Sequence, residues 1–154
     1  MRLKCVLKRS KTARGFTLVE LMVAVALTAV IFFGLASIYM LINDAWDRGA
    51  SLASLQRDGS YAMYEFTTII RQGTAAVVAP THLTIQDGGG STLGRFYWEQ
   101  SDNTLRDDSG NKIIPSTVDS LGFSQAGATI QVDLLLADDK ENTVFFNTNV
   151  ALRN

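Results

Sequence analysis

Residues 21–42 read LMVAVALTAVIFFGLASIYMLI and contain no charged side chain. As an α-helix, a run of this length would span about 33 Å at about 1.5 Å per residue, which is enough to cross a bilayer. The polar residues Asn43 and Asp44 follow at once, and Trp46 supplies an aromatic ring of the kind found at membrane interfaces. The sequence therefore predicts a transmembrane helix.

Charge is distributed unevenly on the two sides of this apolar run. Six cations and no acidic residue precede Gly15, whereas the remainder of the chain carries 8 Lys or Arg against 15 Asp or Glu. A basic flank stays in the cytoplasm and the part that follows is exported, so the C-terminal region is expected to be periplasmic. The basic end lacks interleaved aromatic residues, so no nucleic-acid partner is expected.

An ordinary secretory signal peptide is the alternative interpretation of this region. Residues 21–33 would form its apolar part, and the small residues at 34 and 36 would precede a cleavage site before Ser37. Two features oppose this interpretation. The apolar run continues to residue 42, and the charged residue Glu20 lies between the apolar residues Val19 and Leu21. A periplasmic protein released by signal peptidase would begin at Ser37.

Glu20 is the most informative residue of the segment. An ionised carboxylate in a membrane-inserting helix costs about 2.5 to 3.5 kcal/mol, so it is seldom found without a partner. From its position alone, two interpretations stay open: the carboxylate meets water near the cytoplasmic headgroups, or it has a cationic partner.

Residues 15–20 read Gly-Phe-Thr-Leu-Val-Glu, between a basic leader and the long apolar run. This arrangement resembles the processing site of the type IV pilin superfamily, which includes the pseudopilins of type II secretion. The resemblance implies that prepilin peptidase cuts between Gly15 and Phe16 and methylates the new amino terminus of Phe16. A glycine without a side chain would allow the protease to approach the backbone closely.

The same resemblance implies a partner for Glu20. In the assembled fibre its carboxylate would pair with the cationic amine of Phe16 on a neighbouring subunit. The implied partners are other pilin or pseudopilin subunits, prepilin peptidase, and an assembly platform protein with its ATPase. The implied location is the inner membrane, where lipid surrounds a single-pass helix with a cytoplasmic N-terminus, and then a pilus or pseudopilus.

An apolar stripe continues beyond the membrane segment and predicts that one helix extends to about Gln72. Its residues recur mainly at spacings of three and four: Leu52, Leu55, Ala62, Met63, Phe66, Ile69 and Ile70. Gly49 and Gly59 interrupt the stripe at a cost of about 1 kcal/mol each relative to alanine, so we expect the helix to bend or loosen there.

From Pro80 onward, short runs of β-branched and aromatic residues alternate with turn residues. They predict strands at residues 82–86, 94–99, 104–106, 121–124, 129–136 and 143–152. Turn composition marks residues 87–90, 101–103 and 107–111. The predicted fold is α+β and pilin-like, with a long N-terminal helix that spans the membrane in its first half and an antiparallel β-sheet domain packed on its second half.

This prediction divides the chain into a basic leader at 1–15, a transmembrane and assembly helix at 16–42, an amphipathic outer half of the helix with a loop at 43–79, and a β domain at 80–154. The segments 96–99, 103–106 and 150–154 resemble the layout of minor pilins and of the J-type minor pseudopilin.

Other candidate sites have simpler interpretations. Cys5 is the only cysteine and lies in the leader, so no disulfide is possible after Gly15. His82 is the only histidine, and we expect an ordinary strand or loop residue. Residues 88–90 are glycines without the lysine of a phosphate loop. We expect no enzymatic activity, no cofactor and no metal site.

Two acidic turns could supply oxygen ligands to Ca²⁺. Neither has the alternating ligand spacing of a calcium loop, so solvated hairpin turns are expected. The residues concerned are Asp107, Asp108 and Asn111 in one turn, and Asp138, Asp139, Glu141 and Asn142 in the other.

Two functional hypotheses follow. The chain is a minor pilin or minor pseudopilin that joins or primes a fibre, or its β domain is a tip adhesin or substrate-binding subunit on the same anchor.

Overall fold

The computed structural model describes residues 15–153. It contains one long helix, α1 (Leu18–Gln72), followed by seven strands among the described residues. The strands are β1 (Ala75–Ala79), β2 (His82–Gln86), β3 (Thr92–Glu99), β4 (Thr104–Arg106), β5 (Thr117–Ala126), β6 (Thr129–Ala137) and β7 (Thr143–Ala151). The predicted α+β fold, with a long helix followed by antiparallel β structure, is confirmed.

The chain divides into two units at the boundary between Asn43 and Asp44. In the first unit every described residue is exposed, and the helix contains a window of mean hydropathy 2.5. By length and composition this helix could cross a membrane.

The second unit is the folded part, and its portion of α1 buries a single stripe. The buried positions recur at intervals of three and four residues, which is the period of one helix face. They are Leu55, Asp58, Gly59, Ala62, Phe66 and Ile70.

All strand pairs are antiparallel, and they form two sheets where the sequence predicted one. Sheet A has the order β1-β2-β3-β4, and sheet B has the order β5-β6-β7. The ring of Phe66 joins them, because it meets Phe96 of sheet A edge to face at 4.7 Å and Phe123 of sheet B edge to face at 5.7 Å. One helical side chain thus packs against an aromatic residue from each sheet.

The strand predictions agree closely with the structure at β2 and β4, whose bounds are the predicted ones. Strand β5 is longer than the predicted segment 121–124. The prediction omits its first residues because Asp119, which lies at a bulge between Val118 and Ser120, breaks the apolar pattern. Strand β1 was not predicted at all: the sequence suggested a loop there, since its residues AAVVA include three alanines, which are depleted in strands.

Candidate processing and assembly site

The predicted processing site lies immediately before helix α1. Gly15 has no regular secondary structure, and a Cβ built on it would meet nothing within 4 Å. The side chain of Phe16 is 74% exposed. In the described chain, the Gly15–Phe16 peptide bond is therefore not covered by other parts of the protein.

Thr17 caps the start of the helix. Its Oγ1 accepts a hydrogen bond from the backbone N–H of Glu20 at 3.2 Å, and its carbonyl accepts one from the N–H of Leu21 at 3.1 Å. This is the geometry of an N-cap, which satisfies a backbone donor that the first turn cannot pair. The threonine of the motif thus has a structural role of its own, which the sequence interpretation had not assigned.

Glu20 lies in the first turn of α1 and is exposed. A carboxylate is favoured near a helix N-terminus because the first N–H groups give that end a partial positive charge. None of the ion pairs between described residues includes Glu20. The helix dipole alone is a weak compensation for a carboxylate in an apolar segment.

The other polar groups of the apolar segment are satisfied within the helix. The hydroxyl of Thr28 donates to the carbonyl of Ala24 at 2.7 Å, and that of Ser37 donates to the carbonyl of Phe33 at 3.0 Å. Such bonds to the preceding turn let small hydroxyl residues enter an apolar environment. Glu20 is therefore the group of the described segment that most needs a partner from outside it.

A shallow groove runs along the same helix. It is lined by small side chains between larger ones, a pattern that lets another helix approach closely. The lining residues are Leu21, Ala24, Val25, Thr28, Ala29 and Phe32.

The alternative sites fall in ordinary structural positions. His82 begins β2 and pairs with Tyr97 and Ala79 in the sheet. Phe96, the first of three consecutive aromatic residues, is 5% exposed and belongs to the core. The indole N–H of neighbouring Trp98 is buried without a hydrogen-bond partner among the described residues.

Both acidic segments form hairpin turns, as predicted. Asp107 accepts hydrogen bonds from the backbone N–H of Asn111 at 2.7 Å and from its Nδ2 at 3.3 Å. Asp138 does the same with Asn142, at 2.8 and 2.7 Å, and also accepts a hydrogen bond from Ser51. Within residues 15–153, no group of three or more His, Cys, Asp or Glu is placed to hold a metal ion.

Comparison with known families identifies one match. The prokaryotic N-terminal methylation motif matches residues 10–36, of which 10–14 lie outside the described residues. This match supports a type IV pilin-like protein that is processed by prepilin peptidase and interacts with pilin subunits. Together with the apolar helix, it suggests an inner-membrane anchor. No curated protein and no solved structure matches the chain.

Proposed function

We propose that this chain is a minor pilin or minor pseudopilin. Prepilin peptidase cuts it between Gly15 and Phe16 and methylates Phe16, and the mature protein joins or primes a type IV pilus or a type II secretion pseudopilus. The observation that carries the proposal is the motif match at residues 10–36, which ends inside an apolar helix that begins at Leu18.

The start of the helix supports cleavage at this peptide bond. A protease needs an extended, accessible backbone, and residues 15–17 lie outside the helix and are exposed. The cap at Thr17 fixes where the helix begins, so the two residues that flank the cut stay out of it.

The exposed carboxylate of Glu20 supports assembly through the new amino terminus. Cutting after Gly15 creates an ammonium group on Phe16, and this charge is the partner that Glu20 lacks among the described residues. In a bundle of such helices, the amine of one subunit pairs with Glu20 of the next. Processing and assembly then depend on the same charge pair.

The remaining assignments complete the proposal. Residues 1–15 are a discarded leader, residues 16–42 are the membrane and assembly helix, and the β domain faces the periplasm. The basic leader supports this orientation, because cationic flanks stay on the cytoplasmic side. An assembly platform protein and its ATPase are the expected partners besides the peptidase.

The decisive experiment is determination of the N-terminus of the mature protein, purified from membranes with and without prepilin peptidase. We expect a methylated Phe16 when the peptidase is present and an uncut chain when it is absent. A mature chain that begins at Ser37 would instead identify a signal-peptidase substrate. A chain that keeps Met1 in the presence of the peptidase would also overturn the proposal.

A further inference from the structure

Strand β7 forms one edge of sheet B and pairs only with β6. It reads TVFFNTNVA over Thr143–Ala151 and contains no charged residue, no proline and no glycine. Its pairing with β6 runs from Ala137↔Thr143 to Thr129↔Ala151 without a shift of register. The edge is therefore regular along its whole length.

The hydrogen bonds at the two ends of this pair fix which backbone groups point outward. The backbone N–H of Asp138 donates to the carbonyl of Asn142 at 3.0 Å, and the backbone N–H of Leu152 donates to the carbonyl of Ala128 at 2.8 Å. Both bonds continue the register of the β6–β7 pair. Because antiparallel residues alternate between bonding the partner strand and pointing away from it, the even-numbered residues of β7 bond β6. The outward N–H and C=O groups belong to residues 143, 145, 147, 149 and 151.

Arg153 confirms this alternation. It is the next odd-numbered residue, and its N–H points away from β6 and donates to the carbonyl of Gly73 at 2.8 Å. Within β7 itself, none of the outward groups has a hydrogen-bond partner among residues 15–153. A row of donors and acceptors at strand spacing is left open.

The other sheet edges are protected. Strand β4 has only three residues, β5 carries Asp119 at its bulge, and β1 lies beside β5. Short length, charges, bulges and covering segments are the usual means by which proteins prevent strand addition at an edge. Within Thr143–Ala151, strand β7 has none of these devices, and the chain at Gly73 meets this edge only beyond the strand, at Arg153.

We propose that the open edge of β7 binds an extended segment of a partner polypeptide, which adds to sheet B as a fourth, antiparallel strand. Only an extended strand offers donors and acceptors at the matching spacing. This inference is independent of processing at Gly15, because it depends on the second unit alone.

The surroundings of β7 define the chemistry of the partner segment. Phe145 is 62% exposed on the face away from the helix and pairs across the sheet with Leu135, so an apolar side chain fits beside it. The turn before β7 contains Asp138, Asp139 and Glu141, whereas its Lys140 already pairs with Asp47 at 3.4 Å. The segment should therefore be uncharged along β7 and carry cations at its C-terminal end, which lies beside this turn in an antiparallel arrangement.

A peptide with the sequence TVFFNTVVAKK meets these requirements, because its seventh residue, a valine, lies opposite Phe145 and its two lysines follow beside the acidic turn. It can be tested on the full chain in detergent micelles. We expect saturable binding by fluorescence anisotropy. The same peptide with N-methyl groups on the alternate amides that face β7 should bind at least about tenfold more weakly, since each lost backbone hydrogen bond reduces affinity. Moving the lysines to the other end should also weaken binding. Equal binding of the N-methylated peptide, or no binding of the first peptide, would overturn the proposal.

Hydrogen exchange supplies a second readout with an internal control. The amides of Phe145, Asn147 and Asn149 should exchange rapidly in the free protein and slowly with the peptide bound. Those of Phe146 and Thr148 should be protected in both states, because they bond β6. Protection that does not follow this alternation would contradict strand addition.

A matched pair of variants tests the edge from the side of the protein. Asn147→Pro removes one outward N–H that the β6 pairing does not use, which edge strands tolerate. It should weaken binding at least about tenfold, whereas Asn147→Ala keeps the N–H and should bind within about twofold of the wild type. If the proline variant loses protection of the inward amides and is therefore unfolded, the N-methylated peptide still decides the question.

Discussion

Gly59 of helix α1 lies directly against the ring of Phe146 in β7. A Cβ built on Gly59 would lie 2.0 Å from Cε2 of Phe146, far inside van der Waals contact. The absence of a side chain at Gly59 is therefore what allows this part of the helix to approach the sheet.

We predict that Gly59→Ala destabilises the fold by about 1 to 3 kcal/mol, because the added methyl group overpacks the contact with Phe146. The sign of this stability change is informative, because helix propensity alone favours alanine over glycine by about 1 kcal/mol and would give the opposite sign. Chemical denaturation of the full chain in detergent, followed by tryptophan fluorescence, measures the change.

Gly49→Ala is the matched control, because a Cβ at Gly49 meets nothing within 4 Å. It should stabilise the helix by up to about 1 kcal/mol. Phe146→Leu should reduce the penalty of Gly59→Ala, so the two substitutions should be non-additive. Similar effects of the two alanine substitutions would contradict the close-packing role of Gly59.

Gly59 also illustrates what the sequence could and could not predict. The glycine predicts a bend or a loosened turn, and helix α1 runs through this position from Leu18 to Gln72. Its packing partner, Phe146, is distant in the chain, and no local pattern indicates that contact. The contacts of Phe66 with Phe96 and Phe123 in the two sheets likewise join residues that are distant in the chain, and no local pattern indicates them.

Features that depend on neighbouring residues were predicted more accurately. The hairpin around Asp107 follows from side chains that bond their own backbone, and the helix limit near Gln72 follows from the apolar stripe. The motif around Gly15 and Glu20 is likewise contiguous. The burial of Asp58 was not predicted, because an acidic residue next to a glycine on a helix gives no sign that a distant loop covers it.

Asp58 is a buried carboxylate, 5% exposed, that ties the helix to the segment before β5. It accepts a hydrogen bond from Ser116 Oγ at 2.6 Å and forms an ion pair with Arg57 at 3.0 Å. We predict that Asp58→Ala destabilises the protein by about 1.5 to 3 kcal/mol, the range for hydrogen bonds to charged groups. Denaturation of Asp58→Ala, Ser116→Ala and the double variant measures the coupling. Simple additivity would show that the two side chains do not act together.

Asp138 makes stability depend on pH. Hydrogen bonds from Ser51 and then from Asn142 lower the pKa of Asp138 from its ordinary value of 3.8 to about 2. Because the pKa is lower in the folded than in the unfolded state, the ionised carboxylate contributes its full stabilisation at a pH above the unfolded pKa. This contribution is lost as the pH falls from about 4 to about 2. Ser51→Ala should move the pKa of Asp138 upward, which NMR titration of the carboxyl group can measure. An unchanged titration in that variant would contradict the role of Ser51.

Substitution of Gly15 tests the cleavage site proposed above. Gly15→Val should abolish processing by prepilin peptidase, because a branched side chain blocks close approach to the backbone. The matched variant is Ala36→Phe, which destroys the alternative signal-peptidase site and should leave processing unchanged. Immunoblots that separate precursor from mature chain distinguish the two. Processing that is lost in Ala36→Phe and kept in Gly15→Val would support the rival assignment.

Glu20 provides the test of the proposed charge pair. Glu20→Ala should still be inserted and cut but should incorporate poorly into the fibre, because the amine of Phe16 loses its partner. Removing one member of a buried ion pair typically costs about 3 to 5 kcal/mol. The fraction of mature chain recovered in sheared fibres, compared with the membrane fraction, measures incorporation.

The backbone N–H of Glu20 makes the cap with Thr17, so the alanine variant keeps that hydrogen bond and changes the carboxylate alone. Thr17→Val is the reciprocal control, since it removes the cap oxygen, keeps the charge and should still incorporate. If Glu20→Ala incorporates as well as the wild type, the pairing with Phe16 is refuted even if the mature chain begins at that residue.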